Sequence, residues 1–553
     1  MAIGSTTSAA EPRLKLTRWV VPSVGDSLFV ALLALLAFTN LSVRLLGDAG
    51  IGWHIRTGQL ILATHAVPHA DPFSSSLHGQ PWFAWEWLYD VKVGWWDTAA
   101  GLNGIVVYTA LIIALTFSGA FFLLLRRGTN VLVALALVLL AASASMIHFL
   151  ARPHVVSWLF TVAWFWILES SQESGHRHTR RLWLLPSLML VWVNVHGGFL
   201  VGFALLGIFW IGAAWQWSRL KEDKFEKALR KIHLGRRVRL LTSVGILSAI
   251  ATLVNPYGFQ LHLHIYRYLS NRFLMDHIDE FQSPNFHFVA QKCFAGVLLL
   301  TLLALAAKKR QAGVNQDPLN HQDSLTHQDS LTHGLLILFA IYSGLYAARN
   351  IPVSSLLLIL VIGPWLSEAL YRLSSRRNSA PQHRSAFHQF LQRMQATEVS
   401  MRGHLWPIVA VALSFWIVFH GGKLGSTLTM NAHFDAKRFP AQAVDYLVAH
   451  DVTGPILSPD HWGGYLIYRL YPRVQVVVDD RHDFYGETFL RPYLKMIHIQ
   501  PGWQDFIEQH PARYLLLQKD SALANLLLET GGWRAIYNDD VAMLFVRTPV
   551  KHK

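Results

Sequence analysis

A chain of 553 residues, 52% hydrophobic and only 15% charged, is too apolar for an ordinary soluble protein, while its net charge of +14 raises nucleic acid as a partner. The basic residues cluster in a few loops between apolar runs, where anionic lipid is the simpler partner, so nucleic acid is set aside. The single cysteine, Cys293, excludes an intrachain disulfide framework and any cysteine-rich metal site.

In chain order, residues 1–26 are polar and mildly basic, with no cleavable signal pattern, and read as a cytoplasmic N-terminal segment. Eleven apolar segments follow, at roughly 27–46, 104–125, 130–149, 154–169, 181–195, 198–216, 239–255, 289–307, 334–348, 352–371 and 404–421. Several reach the ~20 residues that a bilayer core requires, and the shorter ones cross with polar flanks dipping inward. Their interiors are almost free of charge, as fits a cost of ~2.5–3.5 kcal/mol for a central Asp, Lys or Arg. The predicted architecture is a polytopic α-helical membrane protein with about 11 transmembrane helices over 27–421. It sits in the plasma (inner) membrane and carries a C-terminal α/β domain over 434–553.

Lysine and arginine set the orientation. The loops 1–26, 126–129, 170–180, 217–238, 308–333 and 372–403 carry 3, 2, 3, 9, 3 and 6 of them, 26 in all, counting Arg181 and Arg239 at helix boundaries. The opposite loops carry only 6: Arg56, Lys92, Arg152, Arg267, Arg272 and Arg349. Basic loops mark the cytoplasmic side, so the N-terminus is expected inside and everything after 421 outside. Two inner loops read as incidental. The charge alternation over 217–238 suits a surface-lying amphipathic helix. The duplicated hexamer HQDSLT, at 321–326 and 327–332, is too short to build a solenoid.

The polar groups that look chemical crowd the outer side. The large loop 47–103 opens with Asp48 at the end of the first span, then Trp53, His54, Ile55 and Arg56 on an expected amphipathic helix with Leu60 and Ile61. Asp71 reads as the cap of a Pro-containing turn, and Glu86 sits among the anchoring Trp82, Trp85 and Trp87. A carboxylate at a span's exit is seldom there for packing, so Asp48 reads as functional. Short junctions hold Arg152-Pro153-His154, Asn194-Val195-His196-Gly197-Gly198, Asn255-Pro256-Tyr257-Gly258 and Arg349-Asn350, and the loop before the eighth span holds Asp276, Asp279 and Glu280. Capping and snorkelling explain each junction alone, but four on one face, at one depth, point to a shared site. The planar fork of arginine suits phosphate.

Beyond 434 strands and helices alternate. A helix from Pro440 leads to a strand at 455–458, a helix through 463–470 and a strand at 474–479. Helices near 487–497 and 502–509, a strand at 513–517 and a helix at 520–529 precede a hairpin of 533–537 and 541–547, turning at Asn538-Asp539-Asp540. This order predicts an α/β layer with a mostly parallel sheet. Two polar clusters, 459–465 with Trp462 and Tyr465, and Asp479-Asp480-Arg481-His482-Asp483, leave strand ends where ligands usually sit.

Together these residues resemble the GT-C superfamily, integral-membrane glycosyltransferases that take sugar from a polyprenyl-phosphate or polyprenyl-diphosphate carrier. The stretch from Asp48 to Arg56 is similar to the Asp-aromatic-His/Asn-x-Arg pattern of oligosaccharyltransferase catalytic subunits, and DHWGGYLIYRLYPRVQVVVDDR resembles their Trp-Trp-Asp-Tyr-Gly region. The chain is also similar to bacterial multispan proteins with DPFS, RPH, N-x-HGG, NPYG and WGGYL segments. The Trp-Trp-Asp order itself is missing, so a peptide acceptor is not implied. The second outer loop lacks an Asp-x-Asp or Glu-x-Asp pair and has only Arg152 and His154.

The resemblance implies sugar transfer on the outer face, with Asp48 as catalytic general base and the carrier phosphate near Arg152, His154, His196 and Arg349. Further substrate contacts fall to His54, Arg56, Glu86 and Asn194, and Trp462 and Tyr465 offer flat surfaces for sugar. The partners are a polyprenyl-phosphate-linked sugar, the lipid bilayer and an envelope acceptor. No metal ligand is assigned; a divalent cation stays open as cofactor, with Glu280 as a distant second carboxylate. Two other classes stand beside this one. A transporter or flippase of lipid-linked saccharide calls for charged or broken helices at the bilayer midplane. A non-catalytic envelope assembly or sensor protein calls for no shared cavity, so the placement of Asp48, Arg152, His196 and Arg349 separates it from an enzyme.

Overall fold

The computed structural model describes residues 20–172, 179–220, 225–314, 330–376, 386–401 and 403–548. Residues 1–19 of the N-terminal segment and 321–329 of the HQDSLT duplication lie outside them. Helices dominate as far as Phe419. Five are long and apolar enough to cross a membrane: Trp87–Arg126, Val131–His148, Gly197–Arg219, Val289–Lys309 and Ala348–Leu373. Val24–Phe38, His154–Ser170, Arg181–Val193, Leu331–Tyr346 and Leu405–Phe419 are shorter apolar helices. The surface helix expected over 217–238 is instead the charged first half of Phe225–Ala251, which runs on into the apolar segment expected at 239–255. No proline stands between 225 and 251, so nothing ends that helix early.

Local chemistry fixes the helix ends. Ser23 and Asp26 form a capping box at the start of Val24–Phe38. Glu398 adds acceptors for the Val24 and Gly25 N–H groups at 2.8 and 3.1 Å, a carboxylate at a positive helix end. The 40-residue helix Trp87–Arg126 breaks at Gly101, where φ is +61°, so its first fourteen residues belong to the loop region and the rest to the bundle.

The helix Gly50–Thr64 is buried on both sides rather than amphipathic. Two glycines explain the difference. A Cβ at Gly58 would lie 1.8 Å from the Asp90 carbonyl oxygen, and one at Gly52 would lie 2.1 Å from that of Gly464. The helix is therefore pressed against Trp87–Arg126 on one face and against Asp460–Leu470 on the other. Gly464 returns the contact: its missing Cβ would sit 2.3 Å from the Ala49 carbonyl oxygen. The WGGYL segment thus docks backbone on backbone, immediately beside Asp48.

The C-terminal region begins with a small hairpin, β1 (Lys423–Leu424) and β2 (Thr427–Leu428). A four-stranded sheet follows, of β3 (Ile456–Leu457), β4 (Tyr514–Gln518), β5 (Trp533–Asn538) and β6 (Ala542–Arg547), in the order β3-β4-β6-β5. β3 and β4 run parallel, as do the bridges of Val476 to Ile456 and to Ser74, while β4–β6 and β6–β5 are antiparallel, so the sheet is mixed: parallel on the β3 side and antiparallel on the β5 side. The strand expected at 474–479 makes single bridges only, from Val476 to Ile456 and to Ser74. β3 is two residues long because the chain turns at Pro459 into Asp460–Leu470, which leaves its neighbour nothing further to pair with. Ser74 supplies the other edge: the large loop 47–103 extends the sheet, and one continuous buried core runs from Leu28 through Trp53 to Trp462 and Leu544.

Candidate active site

A cavity of about 900 Å³ lies where loop 47–103, the helix junctions and the C-terminal region meet. Asp48, Glu86, Arg152, His154, His196 and Arg349 all line it, drawn from segments up to 301 residues apart in sequence. At its centre stands the Arg152 guanidinium. Its Nη1 is 3.0 Å from Asp48 Oδ2 and 3.5 Å from Glu280 Oε1, and its Nη2 is 3.8 Å from Asp480 Oδ2. Three carboxylates from three parts of the chain thus share one cation. Burial pushes the Asp480 carboxyl up, the Asp48 carboxylate adds to this, and it reaches about 7 despite Arg152. Burial also raises Glu280, but Arg152 and Arg349 outweigh it and hold that carboxyl down at about 2.

The junctions reach this place for local reasons. His196 caps the helix that follows: its Nδ1 accepts from the Gly198 N–H at 3.0 Å and from Ser157 Oγ at 2.8 Å. Neither glycine after it has room for a side chain, since a Cβ on Gly197 would meet Trp85 at 2.8 Å and one on Gly198 would meet Ser157 Oγ at 2.6 Å. With Nδ1 accepting, His196 presents Nε2 to Glu86 Oε1, 3.8 Å away. Burial pushes the Glu86 carboxyl up to about 8, so it carries a proton at neutral pH. His154 Nε2 is 2.8 Å from the His148 carbonyl, which fixes the ring on the wall. The Arg349 guanidinium lies 4.5 Å over the Phe281 ring and has no carboxylate within 4.0 Å among the described residues.

Five other residues expected in the site stand elsewhere. Arg56 donates to the Tyr468 carbonyl and to Gln59 Oε1, and so ties loop to C-terminal region. Asn194 is fully employed between Trp87 Nε1 and the carbonyls of Leu190 and Val254. Trp462 is fully buried with its N–H on the Arg438 carbonyl, and Tyr465 is 1% exposed, so neither offers a face to a sugar. Apolar area this large is worth more inside the shared core than on a wall. His54 lies one layer behind the cavity, its Nδ1 2.6 Å from Asp90 Oδ1 and its Nε2 3.7 Å from Glu86 Oε2.

DPFS and NPYG are structural. Asp71 accepts from Ser74 N and Ser74 Oγ at 2.9 and 2.5 Å, while Tyr257 Oη accepts from Ala84 N and donates to the Pro68 carbonyl. Asp71 also meets Arg481 Nη1 at 2.7 Å, and Arg481 grips Asp479 through Nε and Nη2 at 2.8 and 2.6 Å. This ion cluster is buried, and Trp82 covers the guanidinium at 4.6 Å.

Solved structures with a similar overall fold exist. An apo oligosaccharyltransferase from Archaeoglobus fulgidus superposes with a TM-score of 0.55 and 10% identity, over 95% of this chain and 74% of that one. The Archaeoglobus fulgidus oligosaccharyltransferase AglB, in complex with an inhibitory peptide and a dolichol-phosphate, gives 0.52 and 12%, over 92% and 70%. Apo ArnT from Cupriavidus metallidurans gives 0.50 and 14%, over 97% and 98%. The fold is that of the GT-C glycosyltransferases. No family model matches the sequence, and no curated protein matches it significantly. In this GT-C fold the cavity also takes in groups absent from the expected site: Asp480, Asp460, His482 and Arg438. His482 Nε2 is 2.8 Å from Asp460 Oδ2; burial lowers His482, but this hydrogen bond together with the charges of Asp460, Asp480 and Asp483 outweighs it and raises the imidazole. The available signal was the doubled polar run 479–483 at a strand end. Which of its three aspartates face the cavity was not written there: Asp480 and Asp483 line it and Asp479 does not.

The donor set for a divalent cation is closed here around the Arg152 guanidinium, and among the described residues no group of three or more His, Cys, Asp or Glu side chains is placed to hold a metal ion.

Proposed function

We propose that this protein is an integral-membrane glycosyltransferase that moves a sugar from a polyprenyl-phosphate or -diphosphate carrier to a cell-envelope acceptor on the outer face. The observation that carries the reading is the convergence of Asp48, Arg152, His196 and Arg349 on one cavity, which a scaffold has no reason to build. The dolichol-phosphate held by AglB supports a lipid phosphate as the ligand class. In this reading residues 27–421 form the membrane domain with about 11 spans, the N-terminus is cytoplasmic, and 434–553 is extracytoplasmic.

The chemistry follows from the walls. Leu200, Val201, Ile265, Leu269 and Val353 give the cavity an apolar side suited to the first carrier units. Arg349, without a carboxylate partner, takes the phosphate, assisted by Arg152 and by the neutral, proton-carrying Glu86. These groups stabilise the charge that builds on the leaving phosphate. Across the cavity the carboxylate pair Asp48 and Asp480 stands where an acceptor hydroxyl must lose its proton.

The test is incubation of purified protein with radiolabelled polyprenyl-phosphate sugars and envelope extract, followed by product analysis. Label should pass from lipid to an envelope product, and Asp48→Asn should abolish this while expression and membrane insertion persist. Full transfer by Asp48→Asn would remove that residue from the reaction.

A further inference from the structure

Resting on the transferase reading, we propose that Asp480, from the C-terminal region, takes the acceptor's proton, and that Asp48 is a positioning residue that holds Arg152. The argument starts from lone pairs. Asp48 has both oxygens engaged: Oδ1 accepts from the Gly50 N–H at 2.7 Å and Oδ2 from Arg152 Nη1 at 3.0 Å. N–H donors on a carboxylate stabilise its charged form and weaken it as a base. Glu280, held down by two arginines, is a weak base for the same reason.

Asp480 is placed the other way. Its Oδ2 is 3.8 Å from Arg152 Nη2, beyond hydrogen-bond range, and its Oδ1 is buried with no hydrogen-bond partner. A carboxylate on a cavity wall with neither oxygen hydrogen-bonded costs free energy until a donor completes it. Its neighbour Asp479 has no such opening, because Arg481 and Tyr485 fill its lone pairs. Asp48 and Asp480 both close on Gly50: the Cβ that it lacks would stand 3.0 Å from Asp48 Oδ1 and 2.5 Å from Asp480 Oδ2. The charged groups facing Asp480 are Asp48 and Arg152, with Glu280 behind that guanidinium, and Asp479 and His482 on its own segment. Their balance with burial sets its proton affinity near neutrality, where a general base works best.

In the step itself the acceptor's O–H proton passes to the Asp480 carboxylate as the acceptor oxygen's lone pair forms the bond to the anomeric carbon. The bond from the anomeric carbon to the carrier phosphate oxygen breaks, and its electron pair stays on the phosphate, which Arg349 and Arg152 receive. Charge is conserved, and no other reactant is needed.

The experiment uses the full chain with a radiolabelled polyprenyl-phosphate hexose and two acceptors, envelope extract and azide. Azide has no proton to lose, so it bypasses a base. Asp480→Asn should lower kcat with hydroxyl acceptors by about 10²–10⁴-fold, leave the donor KM unchanged and keep glycosyl azide formation. Asp48→Asn should raise donor KM and lose product with both acceptors. Unchanged kcat in Asp480→Asn, or azide rescue of Asp48→Asn instead, overturns the assignment. Absence of any product from the unmodified protein would sink the transferase reading itself. Asp480 is then judged by infrared titration: a carboxylic-acid band titrating near neutral pH and missing in Asp480→Asn sustains it as the cavity's proton acceptor. No such band overturns it.

Discussion

Two arginines, each ringed by carboxylates, do different work in this protein. Arg481 lies 1% exposed between Asp71 and Asp479, with every contact at hydrogen-bond length; Phe73, Ser74 and Tyr485 satisfy three of the four acidic oxygens further, and the fourth, Asp479 Oδ1, also takes the Arg481 backbone N–H. Arg152 lies 22% exposed among Asp48, Glu280 and Asp480, at distances that lengthen from 3.0 to 3.8 Å, and leaves Asp480 Oδ1 open. A saturated ion cluster holds parts together; an unsaturated one on a cavity wall is waiting for a ligand. The first joins loop 47–103 to the C-terminal region, and the second lies along that same seam, so the joint that fixes the fold also sets the geometry of the cavity.

The sharpest break of this comparison is to empty the saturated cluster. Arg481→Leu strands Asp71 and Asp479 as buried charges and should cost ~3–5 kcal/mol, read as a large drop in the thermal midpoint in detergent. Arg152→Gln, in the open cluster, should cost only about 1 kcal/mol by the same measurement. Its transfer activity should nevertheless fall at least ~10²-fold. Equal stability losses in the two variants would erase the distinction.

The seam comes next. Gly464→Ala pushes a methyl toward the Ala49 carbonyl, 2.3 Å away, and should cost ~1–3 kcal/mol while moving Asp480 relative to Asp48 and lowering kcat. A variant as stable and active as the parent would mean the two backbones are free to part.

The pH profile sharpens the same point without disrupting the fold. Asp480 must have lost its proton to act, so activity rises with pH through about 7. Glu86 must keep its proton beside the phosphate, so activity falls as pH passes about 8. The expected curve is a narrow bell whose basic limb disappears in Glu86→Gln, with rates near pH 7 within about 2-fold of the parent. Smallest of all is Tyr465→Phe, which removes a hydroxyl bonded only to Arg469 and should leave donor and acceptor KM within about 2-fold. A large KM change there would return Tyr465 to the sugar site.

Much was legible because it depends on local pattern. Apolar runs mark helices that water rejects, and the hairpin around Asn538-Asp539-Asp540 follows from turn residues between β-formers. Asp48, Arg152, His196 and Arg349 stood out because charge at the end of an apolar run needs an explanation. What the chain could not announce is which polar groups are already spoken for. Arg56 and Asn194 look as chemical as Arg152 on paper, yet their donors end on backbone carbonyls brought in by folding.

By itself, then, the sequence determined where the apolar helices run and which junctions bring polar groups to the cavity, because hydropathy and charge act residue by residue. Only the tertiary structure decided that the sheet is mixed, that Trp462 and Tyr465 are core, and that Asp480 rather than Asp479 lines the cavity. Those outcomes rest on partners 410 positions apart, such as Asp71 and Arg481, and a lone pair is free or filled only after such distant groups have met.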